Sequence, residues 1–100
     1  MPFTLLYFDE VEIDINEAKT WYKKQKEGLE VEFATAIEKV IEHIVKAPTT
    51  YSVHYKKIRI AHPKRFPYNI HFYIYDSNTT VVITAIIHSK RHPKVAMKRI

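Results

Sequence analysis

Lys57 and Arg59 stand two apart in Lys57-Ile58-Arg59-Ile60, a run that alternates weakly. Alternation at period two sets both cations on one side of a strand. From there they can bind phosphate or carboxylate through charge-assisted hydrogen bonds, or form an ordinary solvated edge. Arg65 follows Lys64 in a loop stiffened by Pro63 and Pro67. It can meet a partner or pair with an acidic residue of the first helix. His88 and Arg91 close the last strand-like run, and loops at such ends commonly carry function. Arg91 is the leading candidate, because a guanidinium offers a planar fork to phosphate or carboxylate. His88 can serve as acid or base near neutral pH, although a His at a strand end is more often a structural hydrogen-bonding residue. His88 and His92 are four apart, with His71 one strand over. A helix would bring the first two onto one face, but this segment reads as a strand end running into a basic tail, so no metal site is expected.

These residues need a scaffold. Phe3 to Phe8 (FTLLYF) is short, apolar and shows little alternation, which predicts a central strand. Asp9 and Glu12 have capping-box spacing. The first helix is expected to run to about Glu27, with Ile15, Ala18, Trp21, Tyr22 and Gln25 on one stripe. Gly28 is placed as its C-cap. A second helix follows from about Glu30 to Lys46, with Phe33, Ile37, Val40, Ile41, Ile44 and Val45 inward and Pro48 at its end. So short a connection predicts an antiparallel helical hairpin.

Tyr51 to Ala61 reads as one strand. In the next, Phe66, Tyr68, Ile70, Phe72 and Ile74 share a face, opposite Asn69, His71, Tyr73 and Tyr75. Asp76-Ser77-Asn78 signals a hairpin turn. The last run sets Val81, Ile83, Ala85 and Ile87 against Val82, Thr84, Ile86 and His88. It is apolar on both faces and should lie inside the sheet. The fold class is α+β: an N-terminal strand, a helical hairpin, then a mainly antiparallel sheet of about four strands. Helices cover one face. Lys57, Arg59, Asn69, His71 and aromatics occupy the other. Trp21 and Tyr22 are expected in the core, and Tyr73 and Tyr75 to pair across the sheet rather than stack on bases.

The 100 residues suit one domain. Without Cys, disulfides and thiolate metal sites are excluded. One glycine excludes phosphate-cradling loops and dinucleotide fingerprints. The start lacks a basic region before its apolar run, so no signal peptide is expected, and no run is long enough to span a bilayer. A cytoplasmic location and no cofactor are expected. Residues 1–50 hold six Lys, no Arg and ten Asp/Glu, whereas residues 51–100 hold six Lys, four Arg and one Asp. This segregation, −4 against +9, predicts a basic face that meets a polyanion or an acidic partner.

Trp21-Tyr22, Gly28-Leu29 with Phe33, Pro48 with Tyr51, Arg65-Phe66-Pro67-Tyr68-x-Ile70 and Ala85-x-x-His88-x-x-Arg91-x-Pro93 occur in an order that resembles the RelE/ParE toxins of bacterial toxin–antitoxin pairs. The resemblance covers nearly the whole chain. It implies a toxin neutralised by a cognate antitoxin that wraps a helix and an extended segment around it. Operator DNA would be bound only through that antitoxin. RelE-like members resemble ribosome-dependent mRNA endonucleases built on Lys and Arg clusters with a C-terminal Tyr. ParE-like members inhibit DNA gyrase.

Under the ribonuclease reading the carried-over groups are Lys57, Arg59 and Arg91, with His88 or His71 as the acid. Asn69 stands where a catalytic Arg is expected, and residues 94–100 contain no Tyr. The Phe-Pro-Tyr and His-x-x-Arg-x-Pro signatures look more like the ParE side, which is favoured. Lys57, Arg59, Arg65 and Arg91 then form an electrostatic landing site for partners. A third reading is a member that binds antitoxin without toxicity.

Overall fold

The computed structural model describes residues 3–75 and 79–100. The order is β1 (Thr4–Tyr7), α1 (Asp9–Gln25), α2 (Leu29–Lys46), a 3-10 turn (Pro48–Thr50), β2 (Val53–Tyr55), β3 (Ile58–Ala61), β4 (Tyr68–Tyr75), β5 (Thr80–His88) and α3 (Lys94–Met97). The sheet runs β1-β5-β4-β3-β2. β1 pairs parallel to β5, and the other pairings are antiparallel. The α+β class and the helical hairpin agree with expectation.

Four local expectations need correction. β1 is an edge strand rather than a central one. Its lack of alternation misled, because Leu6 and Tyr7 are each 52% exposed while Leu5 packs on the core. Tyr51–Ala61 is two strands, not one, which brings the sheet to five. Lys56 and Lys57 form the two-residue turn between them, Lys56 with a φ of 46°. Asp9 lies inside α1, whose N-cap is Phe8 with no side-chain cap bond. Gly28 is not the C-cap of α1, a place taken by Lys26. It is the N-cap of α2 at φ 92°, where L side chains are strained, and Glu30 accepts a bond from its N–H at 2.8 Å. The Asp76-Ser77-Asn78 turn lies outside the described residues.

The helical hairpin packs on one sheet face. Tyr22 of α1 and Phe33 of α2 meet Phe66 and Tyr68 with ring centroids 5.0 to 6.1 Å apart. That cluster ties both helices to the start of β4, and each buried ring contributes the large apolar area of an aromatic side chain. β5 is buried along nearly its whole length, as an interior strand should be. Its alternation, however, breaks. Phe72 pairs with Ile83 and His71 with Ala85, so Thr84 is an extra residue. This bulge reverses the facing of the strand residues beyond it. Val81, Ile83 and Ile86 belong to the helix-side core, while Ala85 and Ile87 turn to the far face and pack under Val95 and Ala96 of α3.

Candidate functional site

The far face of the sheet begins with the β2–β3 turn. Lys57 Nζ lies 4.2 Å from the Tyr73 ring centroid, a cation–π contact. His71, next along that face, is 2% exposed. Its Nδ1 is 2.9 Å from the Tyr55 hydroxyl, and its Nε2 is buried without a partner among the described residues. Burial, with the nearby charges of His54, Arg99 and His62, lowers its pKa to about 4, although Asp14 opposes this. Burial also raises the Tyr55 pKa. Both groups therefore stay neutral near pH 7. His71 was expected on an open basic face. The sequence could not show that Tyr55 would pack against its ring, with centroids 5.8 Å apart.

Arg59 is not on that face. It pairs with Phe72, and Ala61 pairs with Ile70, both of the helix-side core. Its Nη1 donates to the Tyr51 carbonyl. Tyr51 in turn packs edge-on to Phe72 and meets His43 Nδ1 at 2.6 Å. Thus Arg59 fastens the segment after α2 to the sheet. The turn at Lys56-Lys57 is what separates it from Lys57.

Arg65 reaches Glu32 of α2 at 2.7 Å, so its acidic partner sits on the second helix rather than the first. This pair flanks a groove of about 650 Å³ between α2 and the loop after β3. Val31, Ala36, Val40 and Tyr51 supply apolar lining, and Lys39, His43, His62 and Lys64 add polar or cationic groups. Val31 is 61% exposed.

Arg91 and His88 line a separate cleft of about 360 Å³ with Glu17, Trp21 and Tyr68. His88 Nδ1 accepts the Lys90 N–H at 3.0 Å, and its ring packs edge-on to Tyr68. That is the structural role expected for a strand-end His. His92 does the same for the Lys94 N–H at 3.1 Å. Among the described residues no three His, Cys, Asp or Glu gather as metal ligands. Arg91 has no side-chain bond or ion pair among those described. Trp21 is 55% exposed, so only Tyr22 of that dipeptide joins the core.

No family model and no curated protein matches the sequence. Among solved structures, the chain superposes on one from the "Chromosomal ParDE TA system from P. aeruginosa" with a TM-score of 0.76, at 11% identity, covering 88% of this chain and 97% of that one. It also superposes on one from the toxin-antitoxin complex RelBE2 of Mycobacterium tuberculosis with a TM-score of 0.62, at 18% identity, covering 88% and 99%. The fold is that of the RelE/ParE toxins.

On this RelE/ParE fold the sequence-selected cations do not converge. Lys57 lies on the far face and Arg59 behind the sheet. Arg65 sits at the α2 groove and Arg91 in the α1 cleft. Asn69, in the middle strand, meets Ser89 Oγ at 3.5 Å. Sequence reasoning missed Arg99, which donates to both carboxylate oxygens of Asp14 at 2.7 and 2.9 Å and to the Thr84 carbonyl at 3.0 Å. Asp14 also accepts the Ile86 N–H at 2.9 Å. β1 accompanies β5 only as far as Ile83. The pair therefore supplies the donor and acceptor that a longer β1 would have given. One signal was available: Asp14 falls on the inward stripe of α1 beside Val11 and Ala18, and a buried carboxylate needs a partner.

Proposed function

We propose that this chain is the toxin of a type II toxin–antitoxin pair, ParE-like in action, held inactive by a cognate antitoxin and acting by binding DNA gyrase. The observation that carries this reading is the dispersal of Lys57, Arg59, His88 and Arg91. An endonuclease of the RelE kind needs cations converging on one phosphate, preorganised where charge develops. In this chain Arg59 and His88 are spent on backbone contacts, and His71 is buried. Chains from both a ParDE and a RelBE2 system share this fold, which supports the toxin reading itself.

The groove beside α2 suits the antitoxin. Its apolar floor and the cations Lys39, Lys64 and Arg65 fit an amphipathic segment with an acidic rim. Glu32 is already engaged by Arg65, which leaves little to repel such a partner. Binding of this kind fits a cytoplasmic protein, and no helix among the described residues is long and apolar enough to cross a membrane.

Pulse-labelling of DNA and protein synthesis after inducing this chain alone in bacteria tests the proposal. DNA synthesis should fall first, and purified chain should block supercoiling by gyrase. An earlier fall in protein synthesis, with cleaved transcripts in ribosome-containing extract, would replace this reading with the mRNA endonuclease. No growth defect at all would leave an antitoxin-binding member without toxicity.

A further inference from the structure

α1 buries Val11, Asp14, Ala18 and Tyr22. Its outward side should be polar, and it is not. Ile13 is 58% exposed and Trp21 55%. With Glu10, Glu17, Thr20 and Lys24, all exposed, they fall on one stripe at three- and four-residue spacing. Trp21 stands as a ridge between two shallow depressions. One holds Ile13, Asn16, Glu17, Thr20 and Lys24, and the other is the Arg91 cleft.

The order of residues along this stripe is self-complementary. Turned about a two-fold axis at Glu17, the stripe sets Ile13 against the partner's Trp21 and Glu10 against the partner's Lys24. Each contact then occurs twice. A self-complementary patch is what a closed two-fold dimer requires. The one unfavourable apposition is Glu17 against the partner's Glu17. Arg91 lines the cleft beside Glu17, and the fork it carries has no side-chain partner among the described residues.

We propose that two copies of this chain associate through antiparallel α1 helices about that axis. The stripe, from Glu10 to Lys24, is about 21 Å long by helical rise. Such a contact falls short of the ~800 Å² per partner of a long-lived complex. The dimer is therefore reversible and depends on concentration. It leaves the groove beside α2 on the second helix open.

Sedimentation velocity over a wide concentration range tests this. The parent should pass from monomer to dimer, and emission from Trp21, the single tryptophan, should shift to the blue as the dimer forms. Trp21→Ala should stay monomeric with an unchanged melting temperature. Ile13→Ser reads the same contact from the other side if Trp21→Ala melts early. Lys24→Glu and Glu10→Lys should each weaken the dimer several-fold, and the two together should restore it. That restoration separates this register from any other. A parent that is monomeric throughout overturns the proposal, as does a Trp21→Ala variant that still dimerises. So does a double charge swap that fails to rescue the singles, which would point to a different occupant of the α1 face.

Discussion

Two arginines of the basic half pair with carboxylates at the same distance, 2.7 Å, and do different work. Arg65 meets Glu32 with side chains 62% and 46% exposed. Arg99 meets Asp14 with side chains 13% and 6% exposed. Around the first pair, water solvates both partners whether or not they touch. Around the second, every lost bond leaves a charge or a strand-edge group buried. A short N–O distance therefore says little by itself. What matters is what the pair replaces, and Asp14–Arg99 replaces the missing end of β1.

The sharpest way to break this comparison is to remove one member of the buried pair. Arg99→Met should destabilise the chain by roughly 3–5 kcal/mol in urea or thermal melts, because Asp14 stays buried without its cation. The double variant Asp14→Leu/Arg99→Met should recover part of that loss, since no lone charge remains. It should not return to the parent value, because Ile86 N–H and Thr84 C=O still lack partners, at about 1–3 kcal/mol for each buried group. Full recovery would mean that the strand-edge bonds carry no weight, and the description of the pair as a substitute strand end would be wrong.

The same contrast explains what was legible in the sequence. Apolar periodicity marked the helices and the interior position of β5, because burial dictates residue type there. Phe33, Ile37, Ile41 and Ile44 are all buried as their spacing required. The facing of residues after Thr84 was hidden, since a bulge in a strand apolar on both sides leaves no mark in the pattern. Lys56-Lys57 concealed a turn because neither residue is a usual turn former, and Lys56 takes positive φ without being Gly or Asn. Trp21 was misplaced because a stripe drawn at helical spacing does not show where its buried arc ends. As for the site, Lys57, Arg59, Arg65 and Arg91 could be named from the sequence and Arg99 was not, while their relative placement depended on the turn and the bulge.

His71 offers a buried polar group whose bonding is incomplete, between the two arginine cases. Its folded pKa, about 4, lies below the ordinary 6.5. The unfolded chain therefore takes up a proton that the folded chain refuses. Stability from this group is complete above pH 6.5 and declines as pH falls toward about 4. At 1.36 kcal/mol per pH unit, the loss over that window is on the order of 2–3 kcal/mol. Urea melts of the parent and of His71→Gln across the window should diverge in slope, with the variant flatter. Parallel slopes would show that the folded state protonates His71 as readily as the unfolded one.

The smallest effect belongs to Arg65. Arg65→Ala should cost at most about 1 kcal/mol of stability, and added salt should shrink that further. What it should change is binding. Arg65 is 5.3 Å from the Phe66 ring centroid and holds Glu32, so it shapes one wall of the α2 groove. Under the proposed function, its removal frees a carboxylate facing an acidic antitoxin segment. Titration of parent and variant with the cognate antitoxin should show weaker binding by the variant, with nearly unchanged melting. Glu32→Gln should leave binding intact, since it removes the repulsion together with the pair. If Arg65→Ala instead melts like Arg99→Met, exposure is a poor guide to what an ion pair contributes in this fold. The distinction between the two arginines then fails.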